Sequence, residues 1–133
     1  MITKCQEPTT SCVNAPAQYA ALAALTGPQD EVEEMRLAYR SRRDRSIETL
    51  SAAGVPTNDC RGAFYLWVDI GVSGLSGHEF ARRLTLEREV AVVPGTAFGP
   101  SSTSHVRLSL ATAPDLLEEG VNRLAEAVND WGP

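Results

Sequence analysis

Two stretches of the chain alternate apolar and polar residues with a period of two. In AFYLWVDI, Phe64, Leu66, Val68 and Ile70 fall on one face and Tyr65, Trp67 and Asp69 on the other. In HVRLSLA, Val106, Leu108 and Leu110 share a face, opposite Arg107, Ser109 and Ala111. That spacing predicts two half-buried strands. A third apolar run, VAVVPG, reads as a short strand stopped by Pro94 and Gly95.

Elsewhere the apolar positions recur at three- and four-residue steps. APAQYAALAALTG predicts a short, closely packed helix, with Pro16 in its first turn, Gly27 at its C-terminal cap, and Leu22 and Leu25 near the face of Tyr19. The longest helix runs from Asp30 to about Ala53, with acids in its first turns and arginines behind them, as the helix dipole favours. Its apolar stripe (Val32, Met35, Tyr39, Ser46, Leu50) is thin and is interrupted by Arg42 and Arg43. Ser76 and Glu79 have capping-box spacing ahead of Phe80 and Leu84. Thr112 and Asp115 repeat it ahead of a last helix carrying Leu117, Val121, Leu124, Val128 and Trp131.

The order is helix, long helix, strand, helix, strand, strand, helix. Joined by the PGTAFG loop, the second and third strands are expected to pair antiparallel. The fold expected is α+β, a small and mostly antiparallel three-stranded sheet with helices packed on one face, preceded by a long helix. A single domain over residues 1–133 is expected, with its first dozen residues, broken by Pro8 and a Thr-Thr-Ser cluster, only partly ordered.

Composition narrows the function. The chain carries net charge −5, which disfavours a general nucleic-acid or anionic-membrane role. It has no apolar run long enough for a membrane span or a signal peptide, so a cytoplasmic location is the expectation. Cys5, Cys12 and Cys60 show no CxxC spacing, and His78 and His105 add no zinc pattern, so free thiols and no metal are expected. The cluster RSRRDR could bind phosphate, but its interleaved acids, such as Asp44 four residues after Arg40, favour a solvated helix face. Phosphate-loop, dinucleotide, metalloprotease and nucleophile-elbow motifs are absent from the sequence.

Arg107 is the residue that asks for a role. A guanidinium in the middle of an apolar strand must be solvated, paired, or waiting for a ligand. Its planar fork can take a carboxylate through two parallel hydrogen bonds, which a lysine cannot reproduce. On pattern alone, an arginine paired with an acid of a neighbouring helix is the simpler reading.

The motifs also occur together and in order. QEPTTSCVNAPAQYAALAAL, RGAFYLWVDI and SGHEFARRLTLEREVAVVPGTAFGPSSTSHVRLSLA, followed by a capped helix, resemble the C-terminal part of a class I/II aminotransferase. These are fold-type I enzymes dependent on pyridoxal 5'-phosphate, of the aspartate and aromatic aminotransferase kind. The resemblance runs from about Gln6 to Val128 and implies that Arg107 clamps the α-carboxylate of an amino-acid or 2-oxo-acid substrate. It implies a homodimeric parent enzyme that transfers amino groups.

The family's Schiff-base lysine, the acid on its pyridinium nitrogen and its phosphate-binding turn all precede the matched segment. Lys4, the sole lysine, does not match that lysine in position. The expectation is therefore a small domain without its large cofactor-binding domain, with no catalytic residue, no bound cofactor and no activity alone. A stand-alone carboxylate-binding or dimerisation module is the alternative.

Overall fold

Two antiparallel pairings build the sheet. In the computed structural model, which describes residues 12–132 together with Cys5, Pro8 and Thr9, the elements are α1 (Ala15–Thr26), α2 (Asp30–Ala52), β1 (Tyr65–Asp69), α3 (Gly77–Arg88), β2 (Val93–Pro94), β3 (His105–Ser109) and α4 (Pro114–Asp130). Short 3-10 turns cover Gly71–Ser73 and Gly95–Ala97. The chain divides into two compact units, Met1–Met35 and Arg36–Pro133. The partial order expected of residues 1–12 concerns, apart from Cys5, Pro8, Thr9 and Cys12, positions outside the described residues.

In the first unit, the Asn14 side chain accepts the Ala17 N–H at 2.9 Å and starts α1, and the Gly27 N–H closes it on Ala23. The close packing expected of α1 is not observed. It buries no residue, and Tyr19, Leu22 and Leu25 are exposed. Its alanines and leucines are spread around the helix rather than gathered in one stripe. Val32 and Met35, expected on the apolar stripe of α2, are exposed as well.

In the second unit the strand order is β1-β3-β2, with β3 central and antiparallel to both neighbours. The expected sheet architecture is the one observed. Leu66, Val68, Ile70, Val106, Leu108 and Leu110 turn to the core face. There they meet Leu50 of α2, Phe80 and Leu84 of α3, and Leu117, Val121, Leu124 and Val128 of α4. The buried hydroxyls of Ser46 and Ser73 donate to the Arg42 and Ile70 carbonyls at 2.8 and 2.6 Å, so burial leaves neither unsatisfied. The free edge of β1 is blunted by residues 56–58, since Asp69 N–H reaches Pro56 O at 2.9 Å and Asn58 N–H reaches Trp67 O at 3.1 Å.

Two sequence expectations fail locally. Phe64, expected on the core face, is 39% exposed: its carbonyl still accepts the Leu110 N–H at 2.8 Å, but it follows Ala63 at φ 60° and its ring leaves the core for Tyr65 and Tyr39. Thr112 does not cap α4. Pro114 takes the first turn and sets the cap at Ala113, which has no side-chain hydrogen bond.

Ser76 does cap α3, accepting the Glu79 N–H at 3.2 Å, while the Glu79 carboxylate takes Arg82 at 2.8 Å and Glu87 takes Arg83 at 2.9 Å. Hydrogen bonds from those guanidinium groups hold the Glu79 and Glu87 carboxyls below their usual range. A carboxyl with a depressed folded pKa stabilises the fold above its unfolded pKa and loses that contribution as pH falls through the folded value. The double variant Glu79→Gln/Glu87→Gln should therefore show a shallower fall of thermal midpoint between about pH 6 and pH 3 than the parent chain. Parallel curves would show that the two pairs are not coupled to folding.

Candidate functional site

Arg107 occupies the centre of the central strand, with Trp67 directly opposite on β1 and Val93 directly opposite on β2. Alternation along β3 turns it away from the core, and the helices of the second unit that form that core lie on the other side of the sheet. A helix acid is thus on the wrong face to reach it. Among the described residues no carboxylate lies within salt-bridge distance of Arg107, and no hydrogen bond is made by its guanidinium.

The contrast with its fellow arginines is sharp. Arg45 meets Glu118, Arg61 meets Asp59, Arg88 meets Asp130 and Arg123 meets Glu119, at 2.5–2.6 Å. Arg42 donates to the Leu110 carbonyl at 3.2 Å. The nearest acid in the strand register, Asp69, spends its carboxylate on the N–H of Gly71 at 2.8 Å.

What Arg107 touches instead is aromatic. Its Cζ lies 4.0 Å from the centroid of the Tyr65 ring and 4.5 Å from that of Phe98. Phe98 meets the edge of Trp67 at 5.6 Å between centroids, and Trp67 stacks on His105 at 5.9 Å. On the other side of the row, Tyr65 leans on Phe64 at 4.4 Å, and Phe64 on Tyr39 at 5.9 Å. The guanidinium is therefore one link in a continuous row of rings, His105, Trp67, Phe98, Arg107, Tyr65, Phe64 and Tyr39. A cation over ring faces is attracted by their quadrupoles without engaging its in-plane N–H donors. Arg107 is half-buried and oriented, and among the described residues its donors are uncommitted.

The loop that delivers Phe98 is pinned at both ends. Phe98 N–H closes the 3-10 turn on Gly95 O at 2.9 Å, Gly77 N–H takes Thr103 O at 2.6 Å, and Ile70 N–H takes Ser104 O at 2.9 Å. Alternation alone placed Tyr65 and Trp67 on Arg107's face. The same alternation puts His105 on that face; Phe98 joins the row only through loop closure, for which the linear pattern carries no signal.

The other singled-out residues are not drawn to this site. His78 is exposed in the first turn of α3, and Cys5, Cys12 and Cys60 are free thiols. Among the described residues no cluster of His, Cys, Asp or Glu could hold a metal. A hollow of about 880 Å3 beside residues 56–61 is lined by Arg40 and Arg43 of the RSRRDR cluster and by Arg61. Asp44 lies 3.8 Å from Arg40 and 2.5 Å from Arg43, and Asp59 lies 2.6 Å from Arg61. Paired in this way, it is a solvated ion-pair surface. No helix among the described residues is long and apolar enough to cross a membrane.

A family model described as "Aminotransferase class I and II" matches residues 2–124. The chain is 41% identical over 115 residues to an aspartate aminotransferase of Pyrococcus abyssi, a match that covers 85% of this chain and 30% of that relative. Among solved structures, an aromatic aminotransferase from Pyrococcus horikoshii superposes with a TM-score of 0.88 at 38% identity, covering 96% of this chain and 35% of that one. Aspartate aminotransferase from Thermus thermophilus, solved with maleate, gives a TM-score of 0.83 at 38% identity, covering 93% of this chain and 32% of that one. The chain thus spans about a third of the length of the relatives it matches.

Proposed function

The chain belongs to the class I and II aminotransferase family, and on that premise we propose that it is the small, C-terminal domain of a pyridoxal 5'-phosphate-dependent aminotransferase whose Arg107 binds the substrate α-carboxylate. The observation that carries this reading is an oriented guanidinium with no anionic partner among the described residues. An amino acid and the 2-oxo acid it becomes both keep that carboxylate, so one planar fork serves both directions of amino-group transfer. Bidentate binding fixes the carboxylate plane and with it the direction in which the α-carbon points.

The residues described do not fit the cofactor itself. Its aldehyde must condense with an amine, the sole lysine is Lys4, and that residue lies outside those described. The cofactor belongs, in this proposal, to the part of the relatives that the chain does not match, in a cytoplasmic, fold-type I homodimer. The chain alone supplies the carboxylate clamp and turns over no substrate.

Titration of the chain with 2-oxoglutarate tests the clamp. Saturable binding should weaken by about ten- to a hundredfold in Arg107→Leu, the loss of a charge-assisted pair. Equal affinity in the two proteins would overturn the assignment. Transamination by the chain supplied with pyridoxal 5'-phosphate, an amino acid and a 2-oxo acid would overturn the inactivity.

A further inference from the structure

Order and availability make opposite demands on a ligand-binding arginine. Its side chain carries about 2 kcal/mol of rotamer entropy, so a clamp left loose loses affinity to its own ordering. The chain's usual way of ordering an arginine is a carboxylate partner, as for Arg45 with Glu118 and Arg88 with Asp130. At Arg107 that solution would defeat the purpose, because a resident carboxylate would occupy the donors meant for the ligand.

Resting on the carboxylate reading above, we propose that Tyr65 and Phe98 are positioning residues for Arg107, holding the guanidinium by its faces so that its edge stays open to a planar carboxylate. The Cζ distances of 4.0 and 4.5 Å are those of direct contact with both rings. Each ring has its own support. Tyr65 stands on β1, diagonally across the strand pair from Arg107, and leans on Phe64. Phe98 comes from the loop and is braced by the edge of Trp67, the residue directly opposite Arg107.

Neither ring acts through a polar atom. Phe98 has none, and the Tyr65 hydroxyl makes no hydrogen bond among the described residues. The ring face is therefore the functional part of Tyr65, and phenylalanine should replace it. Neither residue belongs to the buried core, since Tyr65 is half-buried and Phe98 is 51% exposed, so their replacement leaves the packing of the second unit in place.

The test uses the full chain labelled with 15N-arginine. The Nε–Hε resonance of Arg107 is assigned by its loss in Arg107→Lys, and 2-oxoglutarate is titrated into Tyr65→Leu, Phe98→Leu and Tyr65→Phe. Tyr65→Leu and Phe98→Leu should each weaken binding by about tenfold and move the free-state resonance out of its ring-current position. Tyr65→Phe should restore both. Binding that depends on Arg107 yet survives both leucine variants would overturn this inference alone. So would weakened binding with an unmoved resonance, because the rings would then be touching the ligand and not the arginine. Binding indifferent to Arg107 itself would overturn the carboxylate reading and this inference with it.

Discussion

Phe80→Ala is expected to destabilise the second unit by about 3–5 kcal/mol, the range for emptying a buried aromatic site. Phe80 is fully buried and meets Trp131 edge-on at 5.2 Å between centroids. The guanidinium of Arg83 covers the Trp131 ring at 4.2 Å, so α3 is tied to the residue that ends α4 through a stack of three side chains. Removing the first of them leaves a cavity in the core cluster to which Leu84, Leu124 and Val128 also belong, and the hydrogen-bonded sheet cannot readily collapse into it. Since a domain of this size is stable by only about 5–15 kcal/mol, the variant should unfold at far lower urea concentration. The fluorescence of Trp131 and Trp67, both in the second unit, reports the transition. A loss below about 1 kcal/mol would mean that Phe80 is not a keystone of this core. Phe80→Leu, which keeps most of the volume, should recover most of the stability.

Gly95→Ala should act on the site more than on the core. Gly95 is buried at the start of the turn that carries Phe98, and a Cβ there would strike the Ser102 carbonyl and come within 2.8 Å of that of His105. Both obstacles are backbone, one of them at the head of β3, so neither can swing aside as a side chain would. The expected cost is at the upper end for overpacking, about 3 kcal/mol. Relief must come from moving the loop, which lifts Phe98 from Arg107 and from Trp67. Weaker 2-oxoglutarate binding together with a lower thermal midpoint is the expected pair of results. Unchanged values for both would show that the turn accommodates a methyl group without moving the ring. Gly77 is a comparable close approach, since a Cβ there would lie 2.5 Å from the His105 carbonyl, but it borders the core and its replacement would confound folding with binding.

How much of this was legible differs from one element to the next. Alternation in LWVDI and HVRLSL predicts which residues turn inward, and Leu66, Val68, Val106 and Leu108 all do. The heptad-like run from Leu117 to Val128 predicts the buried face of α4 equally well. In the second unit the failures sit at element ends. Phe64 continues the alternation in sequence and its carbonyl still accepts the Leu110 N–H, but it follows directly on the left-handed Ala63, and pattern cannot see where a strand's backbone turns aside. Thr112 has the right spacing for a cap, but Pro114 sets the first turn one residue later.

The candidate site divides the same way. The sequence by itself determined that Arg107 stands on the polar side of an apolar strand, with Tyr65 and Trp67 facing the same way on another, because side-chain direction in a strand follows from backbone geometry alone. It left open whether an acid neutralises that charge. Only the tertiary structure decided this among the described residues, by setting strands some forty residues apart in one register and folding the Phe98 loop over them. Charge pairing is a property of neighbours in space, and which neighbours a strand residue acquires depends on chain closure between distant segments, about which a periodicity of two carries no information.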